Sequence, residues 1–459
     1  MESNYLKKTP LYNALSEIGK RIFLPNGIFY WSGRAKKEAE IIGTIGSAFG
    51  FERDFIDGGS SDWLPCYLNE ISEYTSLNVK DVVPYASIGG LNEVREIWRD
   101  WVIIKANYDK IEEAHLIANL EKYMTTPVIT AGVTNGIFQT CTLFLNPRDI
   151  IIAPNKRWGN YDNIIEKFVG AQIKSFEFFK DQNINLESLE VVINEVAQVQ
   201  KKIVLILNFP NNPTGYVPTK EETKNIVNLL QEQQRKLKIP MIVIVDDAYE
   251  PYIYSDKSLV RSIFYDLFQL EEDIIPVKLD GITKELLIYG GRIGFTSYGL
   301  KPNWIKNNIE LEPLKEEFNN KLEGFNRATI SSCNHFYQIV TQKLFKEKGI
   351  DSFLSSRNKV VELLKERFEK INSELRTIKN SDISIDPNLG GFFLFVNLNP
   401  NKIKATIFAD HLLKEYKVGV IPIEKLDDNV NGIRIAYCSI DLHKIPELVK
   451  RIGSALRDF

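Results

Sequence analysis

The sequence predicts an α/β fold: a large domain on a mostly parallel, seven-stranded sheet, with a smaller α+β domain beside it. Three observations predict it. Between about Pro127 and Leu300, short β-rich runs alternate with longer helical ones, the pattern of helices wrapping a parallel sheet. After about Asn334 the chain turns to long helical stretches interleaved with a few strands. The 459 residues, 44% hydrophobic and 25% charged, have ordinary globular composition and are enough for two domains.

Seven runs read as strands of the large sheet: Pro127–Ala131, Asp149–Ala153, Ile173–Phe178, Ile203–Asn208, Met241–Asp246, Ile274–Leu279 and Gly294–Gly299. Between them Glu187–Gln200 and Lys220–Lys236 read as helices, and the polar run Gln231 to Lys238 as a solvated helix face. Beyond Asn334 the pattern gives helices over Phe336–Lys348 and Ser352–Leu375, a strand Gly391–Leu398, and a helix Ala405–Tyr416. Strands Val418–Pro422 and Ile433–Tyr437 follow, then a final helix from Leu442.

Composition excludes several classes. Lys+Arg 57 against Asp+Glu 60 gives a net charge of −3, so nothing global points to nucleic acid or an anionic membrane. Cys66, Cys141, Cys333 and Cys438 form no Cys-x-x-Cys pair, and His115, His335, His411 and His443 make no metal-ligand spacing with them, so neither a disulfide framework nor a metal site is expected. The stretch Met1 to Pro10 has no apolar region behind its charges, and Ile239 to Val245 is too short to span a bilayer. The cytoplasm is the expected compartment.

In parallel sheets ligands gather at the carboxyl ends of strands. Four polar motifs fall there: Gly132 to Gly136, Asn208 to Gly215 (Asn-Phe-Pro-Asn-Asn-Pro-Thr-Gly), Asp246 to Tyr249 (Asp-Asp-Ala-Tyr) and Gly281 to Lys284, with Arg292 eight positions (292 − 284) beyond the lysine. A lysine amine forms a Schiff base with an aldehyde, an arginine fork holds a phosphate, an aspartate keeps a pyridine nitrogen protonated, and Asn and Tyr hydrogen-bond a phenolate oxygen. Pyridoxal 5′-phosphate carries all four groups.

With these motifs in this order, the chain resembles the class I/II pyridoxal-phosphate aminotransferases of the aspartate aminotransferase fold (fold type I), from about residue 30 to the C-terminus. The resemblance implies a small domain built from both chain ends: residues 1–60 and 334–459 around a large domain of 61–333. It implies Lys284 as the Schiff-base lysine and proton carrier, Asp246 rather than Asp247 at the pyridine nitrogen, and Tyr249 and Asn212 at the phenolate oxygen. Val133, Thr134 and Asn135, with Thr283 and Arg292, would take the phosphate, and Trp158 would stack on the ring. Tyr85 would reach the phosphate in the neighbouring subunit of a homodimer with shared active sites. Arg434 would hold the substrate α-carboxylate, and Arg327, again from the partner, a distal carboxylate. The substrates implied are an L-amino acid (aspartate, glutamate or aromatic) and a 2-oxo acid such as 2-oxoglutarate, with no nucleic acid and no membrane.

Two departures stand out. Where many members have Ser-x-Ser-Lys this chain has Gly281-Ile282-Thr283-Lys284, which removes a phosphate hydroxyl, and Ala328 to Asn334 lacks the Asn-Pro-Pro that often follows Arg327's segment. A β-elimination lyase on the same fold and cofactor is the alternative, since the electron sink is shared and pocket geometry selects the bond broken. A non-catalytic regulator would need a DNA-binding module, and residues 1 to 60 show no helix-turn-helix pattern.

Overall fold

The computed structural model describes residues 5–24, 27–106, 114–305 and 309–459. Met1 to Asn4 of the stretch read for a targeting segment lie outside them. The large sheet has strands β1 (Val128–Thr130), β2 (Ile150–Pro154), β3 (Gln172–Phe176), β4 (Ile203–Asn208), β5 (Met241–Asp246), β6 (Ile274–Gly281) and β7 (Gly294–Tyr298). Their spatial order is β1-β7-β6-β5-β4-β2-β3. Only β7 runs antiparallel to its neighbours.

The sequence specifies the middle of this sheet most strongly. Every residue of β4 and β5 is buried, so both read as unbroken apolar runs ending in a polar residue. Leu205, Leu207, Val243 and Val245 enter the core on one face, and Val204, Ile206, Ile242 and Ile244 the core on the other. The two strands end in register, Asp246 opposite Asn208, which aligns their polar ends at one edge.

Helices α1 (Asn92–Ala106), α2 (Val133–Phe144), α3 (Leu186–Val199), α4 (Lys220–Leu237), α5 (Ile282–Glu285) and α6 (Leu311–Thr329) accompany the sheet. A reciprocal capping box fixes the start of α4: the Thr219 hydroxyl accepts from the Glu222 N–H at 3.2 Å, and Glu222 accepts from the Thr219 N–H at 2.8 Å. Its polar end is only in part the solvated face expected: Glu232, Arg235, Lys236 and Lys238 are exposed, but Gln233 and Gln234 are buried and Gln233 donates to Glu190 Oε1 at 2.8 Å. Helices α1 and α6 lie outside the predicted elements.

The smaller sheet, β8 (Ile383–Ile385), β9 (Leu394–Leu398), β10 (Ile421–Lys425) and β11 (Val430–Ile435), is antiparallel in the order β8-β9-β11-β10. It packs with α7 (Ile350–Leu375), α8 (Ala405–Tyr416) and α9 (Ile445–Ala455). Ile41–Ile42 pair in parallel with Val418–Gly419, so this smaller unit draws on both chain ends.

Several boundaries differ from expectation. The run Val418–Pro422 is two strands, because Val418–Gly419 pairs with the N-terminal segment and Ile421 onward with β11. Gly391 has φ 77°, and the expected Gly391–Leu398 strand starts only at Leu394. The run Phe336–Lys348 is an α-helix over His335–Lys343 that widens into a π-turn over Leu344–Lys348.

Gly294 lets β7 approach the turn after β1: a Cβ there would meet the Gly132 carbonyl carbon at 2.5 Å and the Val133 nitrogen at 2.7 Å. Neither backbone atom can swing aside. Gly294→Ala is therefore expected to destabilise the fold by about 1–3 kcal/mol, read as a lowered urea midpoint at unchanged slope.

Candidate active site

The carboxyl ends of β4, β5 and β6 and the start of α2 surround a cavity of about 150 Å³. Nine of the candidate residues line it: Val133, Thr134, Trp158, Asn212, Asp246, Tyr249, Thr283, Lys284 and Arg292. Asn208, Ala248 and Gly281 complete the wall. Asn208 acts as a brace, its Nδ2 donating to the Asp246 carbonyl at 2.8 Å and its Oδ1 accepting from the Asn212 N–H at 2.8 Å. One strand-end side chain thereby ties the Asn-Pro-Thr-Gly loop to the end of β5.

Period-two alternation separates the two adjacent aspartates. Asp246 faces the cavity, while Asp247 points to the far side and pairs with Lys278. The Asp246 carboxylate is 4% exposed; Oδ2 accepts from the Tyr161 hydroxyl at 2.5 Å and Oδ1 from the Ala248 N–H at 3.2 Å. Burial lifts this carboxyl to about 6, against the pull of those hydrogen bonds and of Lys284.

The ammonium of Lys284 sits 5.7 Å from the Tyr249 ring centroid and 5.6 Å from that of Tyr289. Burial lowers it to about 8; Arg292 pushes the same way, and Cys438 and Asp246 oppose. Burial pushes the Tyr249 phenol up, while Arg434 and a hydrogen bond with Asn212 pull it down.

At the other end of the cavity, Gly132 (φ 78°) turns the chain into α2, whose N-terminus points at the pocket. The Arg292 guanidinium lies over this turn and donates to the Ala131 carbonyl at 3.3 Å. A Cβ at Gly132 would come within 2.6 Å of Arg292 Nη2. Arg292 itself has φ 53°, a conformation costing a non-glycine residue about 1–3 kcal/mol and concentrated at functional sites. The Gly281 departure is steric, since a Cβ there would meet the Ile293 carbonyl oxygen at 2.6 Å and Gly294 Cα at 2.9 Å. No serine fits.

The remaining candidates lie outside the cavity wall. Asn135 does not face the cavity: its Oδ1 accepts from the Ala131 N–H at 3.1 Å and closes the turn instead. Arg434, on β11, adjoins the cavity through Asn212, donating to its Oδ1 at 3.1 Å and to the Thr44 carbonyl at 3.1 Å. Tyr85 is 97% exposed, and Arg327 is exposed at the end of α6, donating to Ser331 Oγ at 2.6 Å. Neither reaches the cavity of its own chain.

The sequence reading missed Tyr161 and Thr44. Tyr161 is the last residue of Trp-x-Asn-Tyr; its ring meets Trp158 edge-on at 5.6 Å, and its hydroxyl reaches Asp246 across 85 positions. The conjunction with Trp158 was a signal for it. Thr44 contributes a backbone carbonyl, which no residue type announces.

The sequence profile described as Aminotransferase class I and II matches residues 106–452. The chain belongs to that family. With it come the transaminase activity class and a dependence on pyridoxal phosphate that is general among members. A probable aspartate/prephenate aminotransferase of Aquifex aeolicus (strain VF5) is 25% identical over 378 residues, 82% of this chain and 84% of that one. The aromatic-amino-acid aminotransferase 2 of Thermococcus litoralis is 21% identical over 337 residues, 73% of this chain and 77% of that one. An aminotransferase of Anaerococcus prevotii superposes with TM-score 0.78 at 23% identity, covering 95% of this chain and 98% of that one. The kynurenine aminotransferase of Pyrococcus horikoshii, solved with PMP, superposes with TM-score 0.74 at 18% identity, covering 98% of each chain. These likenesses confirm the fold type I architecture of this aminotransferase. Among its described residues no helix is long and apolar enough to cross a membrane.

The depressed lysine gives a direct expectation. In the ligand-free protein, Lys284 should react with an amine-directed acylating reagent with a pH midpoint near about 8, followed by peptide mass spectrometry, while surface lysines follow their ordinary value near about 10.4. A Lys284 midpoint coincident with the surface lysines would refute the burial argument.

Proposed function

We propose that this aminotransferase binds pyridoxal 5′-phosphate in the Lys284 cavity and moves an amino group between an L-amino acid and a 2-oxo acid. The donor is aspartate, glutamate or an aromatic amino acid, and the acceptor a 2-oxo acid such as 2-oxoglutarate. The observation that carries the substrate assignment is Arg434: it is 3% exposed, its Nε is buried without a hydrogen-bond partner, and no carboxylate of the described residues pairs with it. Burial lowers it to about 10, and a substrate α-carboxylate beside Asn212 would supply the missing anion.

The cavity fits the cofactor by the same test. Asp246 is a buried carboxylate answered by two neutral hydrogen-bond donors, a vacancy that a protonated pyridine nitrogen would fill. Arg292 and the α2 N-terminus suit a phosphate, and Trp158 offers a ring face. When bound, the cofactor supplies an aldehyde that condenses with amines and a ring that takes up the electrons released at the substrate Cα.

The chain's own residues do the rest. Asp246 keeps the ring nitrogen protonated. Tyr249 and Asn212 hold the phenolate oxygen, and Thr134, Thr283 and Arg292 the phosphate. Lys284 carries the condensing amine and then moves the proton from the substrate Cα; a value near 8 leaves a usable fraction of neutral amine close to neutral pH. The homodimer completes each site with Tyr85 at the phosphate and Arg327 at a distal carboxylate. Exposed Val79, Val83 and Tyr85 on one short segment support a covered face there. Residues 1–60 with 334–459 form the small domain that carries Arg434 over the 61–333 domain, and the four buried free thiols suit the reducing cytoplasm.

The test is the visible spectrum of the purified protein with added pyridoxal phosphate, followed by single amino acids without an acceptor. Conversion of the band to the pyridoxamine form by Glu, Asp or an aromatic amino acid is expected; release of ammonia and a 2-oxo acid without an acceptor would indicate the lyase. Lys284→Ala should lower turnover by more than about a hundredfold with the fold retained. Arg434→Leu should raise KM for the donor about ten- to a hundredfold, each charged hydrogen bond being worth about 1.5–3 kcal/mol. Arg327→Leu should lower kcat/KM for acidic donors relative to aromatic ones, and an unchanged ratio removes Arg327 from specificity.

A further inference from the structure

Behind the cavity lies a buried ionic cluster that the proposed chemistry does not use. Lys105 Nζ contacts Glu250 at 2.6 Å, Asp280 at 3.3 Å and Glu285 at 3.4 Å. Lys278 Nζ contacts Glu250 at 2.8 Å and Asp280 at 3.9 Å and forms a short ion pair with Asp247; Arg357 forms another with Glu285. The Trp98 indole donates to Asp280 Oδ1 at 2.8 Å. All seven charged residues are 5% exposed or less.

Their placement is systematic. Each of the four carboxylates is the chain neighbour of a cavity-lining residue: Asp247 follows Asp246, Glu250 follows Tyr249, Asp280 precedes Gly281 and Glu285 follows Lys284. The three cations arrive from three separate elements, Lys278 from β6, Lys105 from α1 and Arg357 from α7. Seven desolvated charges are a poor source of stability, because well-packed apolar residues of similar volume generally serve as well or better. What ions at fixed distances do supply is orientation.

We propose that this cluster is a positioning unit: it fixes from behind the turns that carry Asp246, Tyr249 and Lys284. Glu250 is the hub, shared by Lys105 and Lys278, and Glu285 joins the Lys284 turn to α7. Four carboxylates against three cations leave one surplus negative charge, and burial raises Asp247. The inference rests on the proposed role of the Lys284 cavity.

The experiment uses the full-length protein loaded with pyridoxal phosphate, comparing wild type, Lys105→Met and the double variant Lys105→Met/Glu250→Gln, which restores the surplus of one. Lys105→Met is expected to lower kcat about ten- to a hundredfold, the cost of a small misplacement of reacting groups, with donor KM within about twofold because Arg434 is untouched. The pH midpoint of the bound cofactor's visible band should rise as the loosened Lys284 turn admits water. Because it also removes the Glu250 hub, the double variant should stay at or below the kcat of Lys105→Met although its charge balance is restored; recovery to within about threefold of wild type would overturn positioning in favour of charge balance alone. Should Lys105→Met fail to fold, the isosteric Glu285→Gln is read the same way. A band midpoint and kcat equal to wild type, with only the melting temperature lowered, would overturn the inference and leave a structural role. No band in the wild-type protein would overturn the proposed function with it; a wild-type band that titrates unchanged in the variants would overturn this inference alone.

Discussion

A buried carboxylate with no ion-pair partner among the described residues, at the end of the central strand β5, is the constraint around which this site is arranged. Asp246 cannot stay ionised at 4% exposure without help, and the help comes first from neutral donors, the Tyr161 hydroxyl and the Ala248 N–H, with a smaller pull from Lys284. Two hydrogen bonds soften the burial without cancelling it, so the carboxyl remains raised to about 6. The protein therefore holds an unmet demand for positive charge at one defined point. Asn208 transmits that point to the neighbouring loop through the Asp246 carbonyl and the Asn212 N–H.

Alternation along the strand ends supports this arrangement. Two buried environments lie back to back: a cavity on one side and a paired ionic cluster on the other, with consecutive residues assigned in turn. Because the side-chain period is two, a slip of one residue in β5 would exchange Asp246 for Asp247 and place Asp246 against Lys278. The register pairs Asp246 with Asn208 on one side and Leu279 on the other, and the apolar side chains of β4 and β5 alternate between two cores. The hydrophobic packing of β4, β5 and β6 thus determines which aspartate faces the cavity.

The strands most legible in the sequence were those buried on both faces: Ile203–Asn208 and Met241–Asp246 emerged with the bounds their patterns predicted. Adjacent motifs were legible too, because turn chemistry is local; nine candidates share one cavity. What the pattern hid depends on contacts distant in sequence. Tyr161 meets Asp246 across 85 positions, Arg434 meets the Thr44 carbonyl across 390, and Lys105 meets Glu250 across 145. Charged residues inside apolar strands, such as Lys278 and Asp280, gave no sign that they would find each other's partners. Gly281 was legible as a departure but not as a necessity, since the close approach of Ile293 and Gly294 exists only once β6 and β7 pair.

Two uncompensated buried charges of opposite sign then define what the cavity asks for. Among the described residues Arg434 has no carboxylate partner on one flank and Asp246 forms no ion pair on the other, with the Lys284 amine, lowered to about 8, in the same cavity wall as Asp246. An apolar ligand would leave both demands unmet, and a simple anion or cation would meet one. A ligand set presenting a carboxylate to Arg434 and a protonated heterocyclic nitrogen to Asp246 meets both, and it also brings an electrophile within the compass of Lys284. The exposed Arg292 and the open turn at Gly132 leave that end of the cavity only half enclosed by this chain. In the proposed homodimer that open end is where the partner's Tyr85, 97% exposed on its own chain, would reach.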